Sequence, residues 1–252
     1  MRVVGIIPAR YASTRFPGKP LALIKGKTMI RRVCEQAWKS RLDAVVVATD
    51  DVRIADEVMS FGGKYILTDP NHRSGTDRCR EALDLLDTQY DAVINIQGDE
   101  PFIDPNQINQ IVDLIVQDDT SLASLAKRIE DEDELFSPNT VKVVMDKKGN
   151  ALYFSRNPIP YMRNVDHGEW LAKGCFYKHI GIYAYKADIL RQIAAMQPST
   201  LETAESLEQL RWLENGLTIR MGITETENVS IDQPEDIEKA EKFSENQMNM
   251  KP

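Results

Sequence analysis

Two runs in the first hundred residues, Ala44-Val45-Val46-Val47-Ala48 and Ala92-Val93-Ile94-Asn95-Ile96, are almost continuously apolar, with no polar alternation. A strand that is hydrophobic on both faces must be covered on both. That is the situation of a central parallel strand between two layers of helices. Val3-Val4-Gly5-Ile6-Ile7 is a third short run. Between the runs the apolar period changes: Met29, Ile30, Val33, Cys34, Ala37 and Trp38 lie on one face of a helix. A second helix is expected from Asp50 or Asp51 through Phe61, stopped by Gly62-Gly63. A short strand Tyr65–Leu67, helices Gly75–Leu86 and Asn106–Gln117, and a strand Leu122–Ala126 continue the alternation. Repeated strand–helix units of this kind build a parallel sheet with right-handed crossovers and ligands at the carboxyl ends of the strands. The expected fold class is α/β.

The second half reads differently. Short strands Val141–Met145, Ala151–Phe154 and Ile180–Tyr185 are separated by Pro158-Ile159-Pro160 and a polar loop through Gly174, in the manner of a smaller β-containing lobe on the substrate side. A helix Thr203–Asn215, a strand Thr218–Gly222 and a last helix opened by Ile231–Asp236 complete the chain. The organisation expected is one domain: a nucleotide-binding part of about residues 1–128, a lobe of about 129–202, and a closing segment of about 203–245.

Charge is distributed unevenly. Eight of the 31 Lys and Arg, and none of the 39 Asp and Glu, fall in the first 34 residues of a chain whose net charge is −8. The block carries Arg10, Arg15 and Lys19 on a loop directly after the first strand, with Ser13, Thr14 and Gly18 between them. Arg offers a planar fork and Lys a point charge, and both hold phosphate oxygens. Cations focused on one loop of an acidic protein suit a small polyanion, and the expectation is a triphosphate-binding loop. A nucleic-acid partner is not expected, because no basic face extends past the block. Gly26-Lys27-Thr28 mimics the end of a P-loop, but the motif needs Gly where Leu21 stands.

Two aspartates complete a candidate site. Asp99 follows the Ala92–Ile96 run within Gln97-Gly98-Asp99-Glu100-Pro101, at the mouth of the expected sheet. Asp232, ahead of Pro234, is its natural partner. Mg²⁺ is commonly held by one or two carboxylates together with substrate phosphates. The Asp131-Glu132-Asp133 triplet matches the DxD of metal-dependent glycosyltransferases, but it sits in an acidic run beside no strand end and reads as a solvated turn. In the second half, Tyr153, Ser155, Arg156, His179, Tyr183, Tyr185, Glu208 and Gln209 are polar candidates, with Arg156 able to meet a carboxylate bidentately.

Cys34, Cys79 and Cys175 form no CxxC and leave an odd count, which suits a reducing compartment without a disulfide framework. Cys34 lies on an apolar helix face and is expected in the core. No run of about 18 apolar residues is present, so no membrane span is expected. The N-terminus enters a strand at once, without a signal-peptide pattern, and the expected location is cytoplasmic.

Taken together, Ile7-Pro8-Ala9-Arg10-Tyr11-Ala12-Ser13-Thr14-Arg15-Phe16-Pro17-Gly18-Lys19-Pro20, Ser74-Gly75-Thr76-Asp77-Arg78 and Asn95-Ile96-Gln97-Gly98-Asp99-Glu100-Pro101 closely resemble the 3-deoxy-manno-octulosonate cytidylyltransferase (CMP-Kdo synthetase) family. So do Ala151–Arg156, His179–Tyr183, Leu207–Arg211 and Asp232–Asp236, in order, along essentially the whole chain. The resemblance implies a Rossmann-like nucleotidyltransferase fold, with a central mostly parallel sheet flanked by helices and a smaller lobe for sugar binding and dimerisation. It implies the reaction of CTP with 3-deoxy-D-manno-octulosonate (Kdo) to give CMP-Kdo and pyrophosphate, Mg²⁺-dependent, for lipopolysaccharide synthesis by a homodimer. Carried over by position, Arg10, Ser13, Arg15 and Lys19 would meet the CTP phosphates. Pro8, Ala9 and the segment Ser74, Gly75, Thr76 and Arg78 would meet cytosine. Asp99 and Asp232 would hold the metal, and Gln97, Arg156, His179, Tyr183, Glu208 and Gln209 would surround the sugar acid. Gln233 departs from the Thr common after the family's metal Asp. Three other readings make different predictions: a cytidylyltransferase for sialic acid or an 8-amino Kdo analogue, a nucleotide-sugar glycosyltransferase, and a nucleotide sensor without turnover.

Overall fold

Every apolar run of the first half becomes a strand in the computed structural model, which describes the backbone of residues 1–12 and 15–249 and the side chains of that range up to Phe243. In chain order the elements begin with β1 (Val3–Ala9), the two-residue strands β2 (Leu23–Ile24) and β3 (Lys27–Thr28), and helix α1 (Met29–Ala37). Then come β4 (Ala44–Thr49), α2 (Val52–Ser60), β5 (Lys64–Leu67), α3 (Gly75–Leu85), β6 (Ala92–Asn95) and α4 (Pro105–Ile115). The next are β7 (Leu122–Arg128), α5 (Glu132–Phe136), β8 (Lys142–Met145), β9 (Ala151–Ser155), α6 (Trp170–Lys173) and β10 (Tyr177–Lys186). Last are α7 (Ala187–Ala194), α8 (Thr200–Glu205), α9 (Gln209–Glu214), β11 (Arg220–Ile223) and α10 (Asp236–Asn249). These elements form two compact units, one of residues 1–112 with the C-terminal segment from Glu227, the other of Asp113–Thr226.

The first unit is built on a parallel sheet in the order β6-β1-β4-β5, with Ile6 facing Asn95 on one side and Val46 on the other. Its central strands are buried on both faces, as the unalternating runs require. Helix α1 buries Met29, Ile30, Val33, Cys34 and Ala37, and Thr28 caps it by accepting from the Arg31 N–H. Because all four strands point the same way, Ala9, Thr49 and Asn95 end along one edge. The C-terminal segment returns to this unit by burying Ile231 and Ala240 with Ile24, Met29 and Phe102. Full burial of such a side chain stabilises by roughly 1.5–3 kcal/mol, and it anchors the neighbouring Asp232.

In the second unit β7 is flanked by parallel β11 and antiparallel β10, which in turn pairs with β8, and β8 with β9. A bulge interrupts the β7–β10 register between Ile180 and Tyr183. Strand β10 begins three residues earlier than expected, so His179 is within it.

The expected single helix Thr203–Asn215 is instead two, α8 and α9, separated at Ser206 with φ 52°. The reason is a competitor for the helix's last carbonyls: Arg156 donates from Nε to Glu205 O at 2.7 Å and from Nη2 to Ser206 O at 3.3 Å. The Asp131-Glu132-Asp133 run is exposed, with Asp131 capping α5, as its acidity suggested. Gly26 (φ 76°) turns between β2 and β3, and Lys27 pairs with Glu35 at 2.7 Å. Among the described residues no helix is long and apolar enough to cross a membrane.

Candidate functional site

A pocket of about 280 Å³ opens at the carboxyl edge of the parallel sheet. Pro8 and Ala9 line it from the end of β1, Ser74 and Gly75 from the start of α3, and Gln97, Gly98 and Asp99 from the loop after β6. These three chain segments are in close contact. A Cβ on Gly98 would stand 2.9 Å from Pro8 O, and one on Gly75 would stand 3.3 Å from Pro8 Cγ. The N-terminal end of α3, closed by a reciprocal Ser74–Asp77 capping box, presents its positive dipole end here.

The basic loop returns to the pocket through Gly18. Its left-handed φ of 71° is open to glycine, and its N–H donates to Tyr11 O at 2.9 Å. A side chain at Gly18 would meet the Tyr11 ring, over which the Arg53 guanidinium lies at 3.3 Å. The next residue, Lys19, donates from Nζ to Asp99 Oδ2 at 2.7 Å and to Ile231 O at 2.9 Å, and lies 3.6 Å from Asp232 Oδ1. Arg15 donates to the same Asp232 oxygen at 3.1 Å. Arg10 and Arg73 are exposed, and no described residue pairs with either. Five cations line the pocket (Arg10, Arg15, Lys19, Arg73, Arg78); with Arg78 held by Asp50, four stand against the two lining carboxylates, so it favours an anion.

Two further ties set the aspartates. The Ile231 N–H donates to Asp99 O at 3.0 Å, and Asn228 Nδ2 donates to Glu100 Oε2 at 2.7 Å. Glu100 is buried, and burial, followed by the charge of Asp99, pushes its carboxyl up to about 8. Beyond Asp232, Asp236 Oδ2 accepts from the N–H groups of both Asp232 and Gln233 at 3.0 Å. The turn is thus made by backbone and Asp236, and the exposed Gln233 side chain is not what shapes it.

Several expected residues take particular places. Arg78 is 4% exposed and gives its guanidinium to Asp50 at 2.9 Å and Thr68 at 2.5 Å, so it lines the pocket already neutralised. Thr76 is buried and is not among the described lining residues. Gln97 lines this same pocket. Ser13 and Thr14 lie outside the described residues. The motif reading missed His72, which pairs with Glu81, as well as Arg73 and the Glu100–Asn228 clip. The signal for Arg73 was present: a base immediately ahead of a helix-capping Ser.

In the second unit, His179, Tyr183, Glu208, Gln209 and Arg156 gather around β10. The His179 ring lies 5.1 Å from that of Tyr183 and meets Phe154 edge-on at 5.2 Å. Burial holds its imidazole down at about 3, so it is neutral. Tyr183 is buried and packs edge-on against Trp212. Burial, and then the charge of Glu208, push its phenol well above the usual range. Glu208 and the buried Gln209 open α9. Arg156 directs its fork onto Glu205 O, Pro138 O and Ser206 O. Of its five N–H groups, one on Nη1 and one on Nη2 are left for a ligand. The fully buried Lys142 fixes the same corner, donating to Ser137 O, Thr140 O and Arg156 O.

The donor set suits a hard divalent cation. Two carboxylates converge on a single ammonium, and their hard oxygens match Mg²⁺. No cluster of three His, Cys, Asp or Glu is found among the described residues, so further oxygens would come from substrate.

Comparison with known proteins agrees with this architecture. The sequence pattern of the cytidylyltransferase family matches residues 4–219. The 3-deoxy-manno-octulosonate cytidylyltransferase of Parabacteroides distasonis is 55% identical over 98% of this chain and 99% of its own. That of Cytophaga hutchinsonii is 56% identical over 93% and 94%. Among solved structures, a CMP:2-keto-3-deoxy-manno-octonic acid synthetase complexed with CTP superposes with a TM-score of 0.90 at 41% identity, covering 98% of this chain and all of that one. A parallel α/β sheet ending in a cation-lined pocket, and full-length similarity at this level, together show that the chain belongs to the cytidylyltransferases and, among them, to the 3-deoxy-manno-octulosonate cytidylyltransferase family.

Proposed function

We propose that the protein transfers CMP from CTP to Kdo, releasing pyrophosphate and supplying CMP-Kdo for lipopolysaccharide synthesis. The observation that carries the reading is the convergence of Lys19 and Arg15 with Asp99 and Asp232 at the carboxyl edge of the sheet. CTP brings roughly four negative charges and Kdo one carboxylate, so the reactants repel each other. Arg10, Arg15 and Lys19, with Ser13, offset that repulsion by receiving the triphosphate, and Arg73 adds a cation on the α3 side. Pro8, Ala9, Ser74, Gly75 and Thr76 shape the nucleoside end, with Arg78 held in place by Asp50. Asp99 and Asp232 would hold Mg²⁺. When bound, Mg²⁺ supplies charge stabilisation to the phosphate oxygens and orients them.

The Kdo anomeric hydroxyl attacks the α-phosphorus in line. An O–P bond forms as the bond to the pyrophosphate oxygen breaks, and the hydroxyl proton leaves to solvent or phosphate; no side chain is assigned as its acceptor. Gln97, Arg156, His179, Tyr183, Glu208 and Gln209 bind the sugar acid. The functional division into about 1–128, 129–202 and 203–245, the homodimer and the cytoplasmic location belong to the same proposal. The test is pyrophosphate release from CTP and Mg²⁺ with Kdo, sialic acid or 8-amino-Kdo as acceptor. Release with Kdo is expected, and silence with Kdo defeats the substrate assignment.

A further inference from the structure

Ser124 on β7 faces three acceptors or donors at once. Its Oγ lies 3.0 Å from His179 Nε2, 2.9 Å from Ile182 O and 3.2 Å from Ile180 O. The two carbonyls flank the bulge where β10 slips its register against β7. A hydroxyl has one proton and two lone pairs, and a carbonyl oxygen can only accept. Contact with either carbonyl therefore commits the Ser124 proton, and what remains toward His179 is a lone pair. Lone pair facing lone pair is repulsive, so Nε2 carries a hydrogen. Burial disfavours a second ring proton. The ring neighbours, Phe154 and Tyr183, supply no carboxylate to stabilise an imidazolium.

We infer that Ser124 fixes His179 as the Nε2–H tautomer, leaving Nδ1 as a hydrogen-bond acceptor that reads a hydroxyl of the sugar-acid substrate rather than its carboxylate. The inference rests on the proposed function for the identity of that substrate. A bare imidazole nitrogen repels a carboxylate and binds a hydroxyl donor, so His179 discriminates among acid sugars by hydroxyl placement. Ser124 is then a positioning residue, acting through the ring.

The test is long-range ¹H–¹⁵N correlation on the full chain labelled with ¹⁵N-histidine. The His179 signals are assigned by their loss in His179→Asn, or by elimination with His72→Gln and His167→Gln if that variant does not fold. At neutral pH, Nε2 is expected in the protonated range and Nδ1 in the bare-nitrogen range, and Nδ1 is expected to move upfield with Kdo plus CTP in EDTA. An Nδ1–H tautomer overturns the inference, as does an unmoved Nδ1 in a protein that turns Kdo over. Absence of Kdo turnover with the Nε2–H tautomer intact defeats the proposed function and leaves the role of Ser124 standing. Ser124→Ala should raise KM for Kdo about tenfold, the scale of one hydrogen bond, with KM for CTP unchanged. Ser124→Thr, which keeps the hydroxyl, should restore it. Equal rises in both KM values would mark a merely structural effect and overturn the positioning role.

Discussion

Lys19 Nζ donates to Asp99 Oδ2 at 2.7 Å across 80 positions of sequence. The same nitrogen reaches Asp232 Oδ1 at 3.6 Å, which ties two loops far apart in the chain to a single positive charge. Two carboxylates so close repel each other unless a cation stands between them. The protein's own ammonium does so here, and a divalent ion with substrate phosphate would take a share of the same negative charge.

Asp99→Ala and Asp232→Ala should each lower turnover by several orders of magnitude, because a metal ligand stabilises charge specific to the transition state. Both side chains are part-exposed, so the fold should survive. Pyrophosphate release at saturating Mg²⁺ measures the loss, and near-normal rates in either variant would refute the assignment.

Lys19→Ala should act chiefly on CTP. A charge-assisted hydrogen bond contributes about 1.5–3 kcal/mol, so KM for CTP should rise by roughly 10- to 150-fold. Initial rates across a CTP series decide the point; an unchanged CTP dependence would remove the loop from the nucleotide site.

Gly98→Ala tests how closely the Asp99 loop must lie against β1. The added methyl would meet Pro8 O at 2.9 Å, main chain that cannot swing aside. Overpacking of this kind costs about 1–3 kcal/mol. Displacing Asp99 as well should reduce kcat at least about tenfold. Urea unfolding and turnover are the two readouts, and a variant equal to the parent in both would show that the contact does not position Asp99.

His179 should leave a mark on acid stability. Its folded pKa of about 3 lies below the ordinary 6.5. Between those values the unfolded chain binds a proton there and the folded chain does not, so stability falls as pH drops through the window. His179→Asn should make that fall shallower by up to about 1.4 kcal/mol per pH unit. Urea midpoints from pH 7 to 4 for the two proteins test this, and parallel curves would contradict a buried neutral ring.

The local features that were legible are those whose physics is local. Unalternating runs announced buried parallel strands, and the helical period at Met29–Trp38 announced α1. The break between α8 and α9 was not legible. Leu207, Leu210 and Leu213 keep a helical period from the break onward, whereas the residue that competes for the carbonyls there is Arg156, some fifty positions away. Arg156 itself looked like a free fork for a carboxylate, and Arg78 was expected beside cytosine. Nothing local to either states that main-chain carbonyls or Asp50 will meet it.

Sequence by itself determined the α/β class, the basic loop after the first strand and the family to which the chain is similar, because periodicity, charge order and motif order are properties of neighbours along the chain. Tertiary structure alone decided that Lys19 meets both Asp99 and Asp232, that Arg78 is already neutralised, and that Ser124 stands against His179 Nε2. Those contacts join segments tens to hundreds of residues apart. Their geometry is set by the register of strands and the burial of anchors such as Ile231, not by any spacing that can be read from neighbouring residues.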